Sequence, residues 1–110
     1  MLGAADMFRH PAWPQKWPPM DIAQRNSIAY RGALVASGDF DAMLVMNWKN
    51  DWDLAAADLI VHEAGGHMTS HTGDGLTYNA KDPRHRTVVA AGPALHRALH
   101  DRIGAIVLPG

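Results

Sequence analysis

The sequence of 110 residues contains no cysteine. This excludes disulfide bridges, thiolate metal sites and a cysteine nucleophile. Glutamate is nearly absent, since Glu63 is the only one and aspartate supplies the other acidic side chains. No apolar run approaches the roughly 20 residues that a membrane-spanning helix needs. The N-terminus has no basic run followed by an apolar core, and we therefore expect no signal peptide.

The chain also lacks an excess of positive charge. Lysine and arginine total 10 against 11 acidic residues, which gives a formal net charge of −1. Binding to nucleic acid polymers or to anionic membranes usually requires a basic surface, so we expect neither partner. The apolar share of 47% and the charged share of 19% are typical of a globular domain. The length allows one compact domain, and a cytoplasmic location is compatible with this composition.

Proline is concentrated in residues 11–19, "PAWPQKWPP". This density excludes a helix interior or a central strand. The stretch could be a polyproline-type ligand for an aromatic groove, or a surface connection whose Trp13 and Trp17 pack on the body of the domain. We favour the second interpretation. We therefore predict an N-terminal connection over residues 1–20 and an α/β domain over residues 21–110.

Within the predicted domain, apolar spacing indicates alternating strands and helices. Ser27 is placed to cap a helix over residues 27–37, and Gly38 to end it. Strands are predicted over residues 21–27, 41–47 and 86–92, and residues 67–79 are predicted to form a strand with a hairpin-like turn at 73–75. Helices are predicted over 51–66 and from 93 onward. This order predicts a layered α/β fold with a largely parallel sheet. The inward positions expected on the last two helices are Leu54, Ala57, Ile60, Val61, Ala64, Leu95, Ala98, Leu99 and either Arg102 or Ile103.

The stretch "VHEAGGHM" looks like the H-E-x-x-H signature of zinc proteases. That signature needs two histidines four residues apart, on one face of a helix. His62 and His67 are five residues apart and would point about 140° away from each other. Gly65 and Gly66 between them would also end the helix. We therefore reject the zinc site.

The stretch "NWKNDWD" joins a predicted strand to the strongest predicted helix. Ligands of α/β sheets bind at such junctions, where helix amides point at anions. Asp51 and Asp53 could hold Mg²⁺, and Lys49 could hold a phosphate. Alternatively Asp51 is an N-cap, Asp53 compensates the helix dipole, and Lys49 is a solvated loop charge. The spacing alone favours this second interpretation.

Two weaker patterns lie further along the chain. His96 and His100 are four residues apart and could form a metal pair, but a solvated helix face explains them better. Residues 73–75, "GDG", could contact a phosphate, although one aspartate between glycines is normal in a turn.

The stretch "DWDLAAADLIVHEAGG" resembles a signature of the inositol monophosphatase-like phosphatases. That signature has Trp-Asp, then a pair of small residues, and Glu-Ala-Gly-Gly within three turns. Its positions are occupied here by Trp52, Asp53, Ala55, Ala56, Glu63, Ala64, Gly65 and Gly66. The resemblance extends over residues 21–103. It is most similar to the bacterial branch that acts on inositol monophosphates or 3'-phosphoadenosine 5'-phosphate.

This resemblance implies a set of roles. Asp53 would be a Mg²⁺ ligand, Trp52 would shape the site, and residues 63–66 would be the structural end of the helix. The candidate substrate-binding residues are Lys49, Asp51, Trp52 and Ser27. The fold would be equivalent to the C-terminal half of the αβαβα sugar-phosphatase fold.

The family's other metal ligands come from an upstream Glu-Glu pair and an Asp-Pro-Leu/Ile-Asp-Gly-Thr motif. Neither motif is present, and Asp82-Pro83 is followed by Arg84-His85. One or two carboxylates cannot hold a cluster of Mg²⁺ ions. We therefore expect the C-terminal half of a Mg²⁺-dependent phosphomonoesterase, incomplete alone and paired with an N-terminal half or with itself. The alternative is a non-catalytic α/β interaction module that keeps the fold.

Overall fold

The computed structural model describes residues 1–3, 5–9, 13, 16–23, 27–46, 49–76, 78, 84–85, 87–104 and 106. The helices are α1 (Ala5–Phe8), α2 (Ile28–Ala36), α3 (Asp51–Glu63) and α4 (Pro93–Ile103). The strands are β1 (Ala42–Val45), β2 (Lys49–Asn50), β3 (His67–Thr69), β4 (Arg84–His85) and β5 (Val88–Ala91).

The main sheet has β5 in the centre, between β1 and β3. Both neighbours run antiparallel to β5, and Met43 on β1 and Met68 on β3 both lie opposite Ala90. Every residue of β1 and β5 is buried. We had expected a largely parallel sheet from such continuous apolar strands. The layered α/β class is confirmed, but the continuous burial arises because helices cover both faces of an antiparallel sheet.

The two faces of the sheet carry separate cores, since alternate residues of a strand point to opposite faces. On one face, Met43, Val45, Val88 and Ala90 pack against helices α2 and α3. On the other face lie the alternate residues of β1 and β5, which pack against α4 and α1. The strand residues of this core are Ala42, Leu44, Val89 and Ala91, and the helices contribute Phe8, Leu99 and Ile103.

Helices α2 and α3 approach each other closely at one point. A Cβ placed on Gly32 would lie 2.7 Å from Cβ of Ala57, so only glycine allows this approach. Gly32 and Ala57 are both buried. This contact fixes α3 against its neighbour near the middle of the helix.

The predicted ends of α2 agree with the structure. Ser27 is the N-cap of α2 and accepts a hydrogen bond from the amide of Tyr30. Gly38 follows the end of α2 with φ +83°. On α4, Leu99 and Ile103 face the core as expected.

Some positions that we expected to point inward are open to solvent. Leu95 and Ala98 on α4 are exposed, and both line an open groove of about 460 Å³ beside Trp17. Ile60 on α3 and Ala64, the C-cap residue directly after it, are also exposed. The neighbouring elements contact a narrower strip of each helix than the apolar spacing suggested.

The N-terminal residues contribute directly to the core. Leu2 is fully buried and forms parallel bridges with Ala23 and Met43. Trp13 and Trp17 pack on the α4 side of the sheet, as predicted. The predicted strand at 21–27 is represented by the bridge at Ala23, and residues 24–26 lie outside the described part. Among the described residues, no helix is long and apolar enough to cross a membrane.

Candidate functional site

Helix α3 begins without a side-chain cap. Its N-cap residue is Asn50, whose side chain makes no capping hydrogen bond. Asp51 is the first helical residue, which corrects the alternative that Asp51 itself is the N-cap. The preceding strand β2 pairs antiparallel with β4, so that Lys49 lies opposite His85. The residues before α3 are therefore held by strand pairing with β4, at a place where a capping side chain would be expected.

The Asp51 carboxylate is engaged in a close pair. Its Oδ1 lies 2.6 Å from Nε2 of His85, and the two side chains are only 16% and 10% exposed. A carboxylate oxygen accepts, so Nε2 of His85 donates this hydrogen bond. Asp51 is thus held by another part of the chain, which weakens its candidacy as a substrate-binding residue.

Asp53 lies two residues further along, in the same turn, and differs from Asp51. It is partly exposed, and among the described residues no hydrogen bond or ion pair reaches its carboxylate. Trp52 between them is 73% exposed. An ionised carboxylate in a first helical turn is favoured by the helix dipole and can bind a cation.

The remaining candidates occupy two places. Lys49 is half-buried on β2, directly before the first turn of α3. Ser27 lies on a different element, and its hydroxyl caps α2 at 3.3 Å from the amide nitrogen of Tyr30. The structure therefore groups Lys49 with the start of α3, whereas the role visible for Ser27 is structural.

Two residues that the sequence did not indicate lie along α3. The Tyr78 hydroxyl donates a 2.6 Å hydrogen bond to Oδ2 of Asp58. The Tyr78 and His85 rings are 5.6 Å apart. Burial, followed by the hydrogen bond to Asp58 and the charges of Asp58 and Asp51, raises the pKa of Tyr78 above its ordinary value. The phenol therefore keeps its proton and donates. No local pattern marked these residues, because their partners are distant in sequence.

The other end of α3 is closed by its own backbone. The amide of Gly65 donates to the carbonyl of His62, and the amide of Gly66 donates to that of Val61. Gly65 has φ +85°. This pair of hydrogen bonds is the Schellman arrangement, which satisfies the last carbonyls of a helix. Residues 63–66 are thus the structural end of the helix, as the resemblance implied.

The histidines around this end lie close to one another. The His62 and His67 rings are 6.4 Å apart, and the His67 and His96 rings 5.6 Å. Among the described residues no three ligating side chains come together in a geometry that could hold a metal ion. The side chains of His96 and His100 are only partly exposed, and Nε2 of His96 lies 2.8 Å from Oγ1 of Thr69. His100 likewise hydrogen-bonds the carbonyl of Thr72.

Similarity to known proteins identifies the fold. The sequence model of the inositol monophosphatase family matches residues 14–108. The chain belongs to this family. The matched residues include the whole of α3 and the signature at both of its ends. No curated protein sequence matches the chain significantly.

Solved structures of the family share the fold. Inositol monophosphatase II of Staphylococcus aureus, with inositol monophosphate bound, has a TM-score of 0.66 and 21% identity, over 74% of this chain and 30% of its own. The extragenic suppressor protein suhB of Bartonella henselae has a TM-score of 0.63 and 27% identity, over 78% of this chain and 31% of its own. CysQ of Bacteroides thetaiotaomicron has a TM-score of 0.58 and 23% identity, over 66% of this chain and 27% of its own. The chain spans less than a third of the length of these relatives.

Phosphatases of this family are generally metal-dependent. Asp53 could serve as one ligand of such an ion, because its carboxylate is accessible and uncommitted among the described residues. Mg²⁺ requires near-octahedral oxygen coordination, which one carboxylate cannot supply. The described residues therefore offer one ligand to such an ion and not a complete site.

Proposed function

We propose that this chain supplies one side of a Mg²⁺-dependent phosphomonoesterase site. The observation that carries the proposal is the Asp53 carboxylate in the first turn of α3, which no described side chain engages, in a chain of the inositol monophosphatase family. The substrate would be a small phosphate ester, either an inositol monophosphate or 3'-phosphoadenosine 5'-phosphate. The staphylococcal relative, solved with inositol monophosphate and with 2'AMP, supports this substrate class. A cytoplasmic location is part of the proposal.

The residues at the start of α3 would act together on such a substrate. Asp53 would bind the metal ion, and Lys49 would neutralise part of the phosphate charge. The first-turn amides, which Asn50 leaves without a side-chain cap, favour an anion at this end of the helix. A bound Mg²⁺ ion would neutralise the phosphate and lower the pKa of a coordinated water.

The chain would need a partner to complete this site. Trp52, Ala56 and Leu59 lie on one face of α3, three and four residues apart, and all are exposed. We call these three residues the α3 outer face. Trp52 and Leu59 expose 73% and 62% of their surface, which is unusual for large apolar residues in one patch.

We infer that an N-terminal half of the phosphatase fold covers the α3 outer face. Two observations support this occupant: the chain spans less than a third of its relatives, and the face begins at Trp52, beside Asp53. A protein segment that delivers the missing ligands to Asp53 would contact this face. A second copy of the chain on the same face is the other outcome, and sedimentation of the purified chain distinguishes the two.

A second candidate is a non-catalytic α/β interaction module. It is favoured by the absence of three grouped metal ligands among the described residues. In that case the Asp53 carboxylate would have no cation to bind, and the α3 outer face would remain the functional surface.

The deciding experiment measures metal binding and phosphate release by the purified chain. We expect weak Mn²⁺ binding, measured by electron paramagnetic resonance, since Mn²⁺ takes the same oxygen ligands as Mg²⁺. Asp53→Asn should remove this binding, while Asp101→Asn, an exposed aspartate on α4, should not. Neither inositol 1-phosphate nor 3'-phosphoadenosine 5'-phosphate should be hydrolysed by the chain alone. Unchanged Mn²⁺ binding in Asp53→Asn would favour the interaction module, and Asp53-dependent turnover would show a complete site.

A further inference from the structure

The first turn of α3 depends on tertiary contacts for its position. In α2 the Ser27 side chain caps the helix, but in α3 the Asn50 side chain makes no such bond. A helix start has four backbone amides without helical partners, and it frays when nothing holds it. The turn that carries Asp53 therefore needs support from another element.

His85 provides that support. Strand β4 pairs with β2, and this brings His85 next to the residue that begins the helix. Nε2 of His85 donates to Oδ1 of Asp51 over 2.6 Å, with both side chains largely buried. A hydrogen bond to a carboxylate with little solvent competition is stronger than an ordinary one.

A second contact holds the same flank of α3. Asp51 and Asp58 are seven residues apart, about two helical turns, and therefore lie on one side of the helix. Tyr78 donates to Asp58 over 2.6 Å, and its ring contacts the ring of His85. The flank of α3 is thus held at two points. His85 acts on the first turn through Asp51, and Tyr78 acts about two turns further along through Asp58.

The position of Asp51 determines the direction of Asp53. Two residues along a helix correspond to a rotation of about 200°, so the two carboxylates point to nearly opposite sides. Holding Asp51 against His85 therefore turns Asp53 away from the packed flank, to where no described side chain engages it. Rotation or fraying of the first turn would move both carboxylates together.

We propose that His85 is a positioning residue, which fixes the Asp53 carboxylate towards a divalent cation by holding Asp51. The inference depends on the proposed function of Asp53. It predicts that loss of the His85 donor loosens the first turn of α3 and thereby weakens cation binding, by way of Asp51.

The first test is amide hydrogen exchange measured by NMR on the full chain. The amides of Ala55, Ala56 and Ala57 bond the carbonyls of residues 51–53, as in any α-helix, and report on this turn. In His85→Phe they should exchange about tenfold faster. His85→Gln, whose amide nitrogen can occupy the position of Nε2, should restore wild-type rates. His100→Phe is the matched control, because it also replaces a hydrogen-bonded imidazole by a phenyl ring. It should leave the exchange rates of these amides unchanged.

Two exchange results would overturn the inference. Unchanged rates at residues 55–57 in His85→Phe would show that His85 does not hold the turn. Equal acceleration in the buried strand Val88–Ala91 would show that the substitution loosens the whole domain and that no local positioning exists.

The second test is Mn²⁺ affinity by electron paramagnetic resonance. His85→Phe should weaken binding about tenfold, the size expected when a group supporting a metal ligand is lost, and His85→Gln should restore it. If Asp53→Asn removes binding but His85→Phe leaves it unchanged, Asp53 keeps its proposed role and the positioning role is wrong. If Mn²⁺ binding is absent or insensitive to Asp53→Asn, the proposed function fails, and the positioning role fails with it.

Discussion

The two ends of helix α3 are fixed in different ways. The C-terminal end is closed by hydrogen bonds within residues 61–66, with Gly65 at positive φ and Gly66 packed against Val61. The N-terminal end has no side-chain cap and is held by His85, which lies 34 residues from its partner Asp51.

This difference explains how one sequence signature serves two purposes. At the C-terminal end the backbone satisfies itself, so the signature there is structural. At the N-terminal end a contact from β4 holds one carboxylate, and the other remains available for a ligand. Support from a distant strand leaves the Asp53 carboxylate without a partner among the residues that the structure describes, whereas a local cap by Asp53 would have occupied it.

The largest effect is expected at the C-terminal end, from Gly66→Ala. The new Cβ would lie 2.9 Å from Cγ1 of Val61 and 3.0 Å from the carbonyl oxygen of Ala91. Because β5 and the end of α3 cannot easily separate, the free energy of unfolding should fall by about 3 kcal/mol.

Urea unfolding measures this change, with Gly75→Ala as the control. A Cβ on Gly75 meets no atom within 4 Å, so its stability should stay within about 0.5 kcal/mol of the parent. Equal stability of the two variants would contradict the close packing at Gly66.

A smaller effect should separate the two carboxylates at the N-terminal end. Asp51→Ala leaves His85 without its acceptor and should lower the free energy of unfolding by about 1.5–2 kcal/mol. Asp53→Ala should cost about 0.5 kcal/mol, because it loses only a favourable interaction with the helix dipole. Urea midpoints of the two variants test the contrast, and a larger loss in Asp53→Ala would invert our assignment of the two roles.

The smallest expected effect is a pH dependence of stability that arises from His96 on α4, which contacts β3 just after the C-terminal end of α3. Burial, followed by the charges of His67 and His100, lowers the pKa of His96 below its ordinary 6.5. The unfolded chain therefore binds the proton more readily, so this contribution to stability is complete above about pH 6.5 and is lost as pH falls through the lower folded value.

Thermal unfolding between pH 7.5 and pH 5 measures this dependence. His96→Gln keeps a donor for Thr69 and carries no titrating ring, so its stability should fall less on acidification than that of the parent. Parallel pH profiles of the two proteins would rule out His96 as the source.

Much of the fold could be predicted from the sequence. Helix α2 lies within one residue of its predicted ends, since Ser27 and Gly38 act through short-range backbone bonds. The antiparallel direction of the strands was not predicted. A continuous apolar run indicates only that both faces of the strand are covered, and this holds for parallel and antiparallel sheets alike.

The candidate site was predictable only in part. Asp53 stood out through the Trp-Asp signature, and Lys49 through its position before the helix. His85 and Tyr78 did not, because their roles depend on partners that the chain brings together across 34 and 20 residues. The predicted turn at residues 73–75 is present, with Gly73 at φ +90°.

The sequence by itself determined where α3 ends and which residues its first turn carries, because glycines and apolar spacing act within a few residues. Only the tertiary structure decided which first-turn carboxylate is held and which is available. Asp51 and Asp53 are the same residue type in the same turn, and they differ because β4 places a hydrogen-bond donor beside one of them.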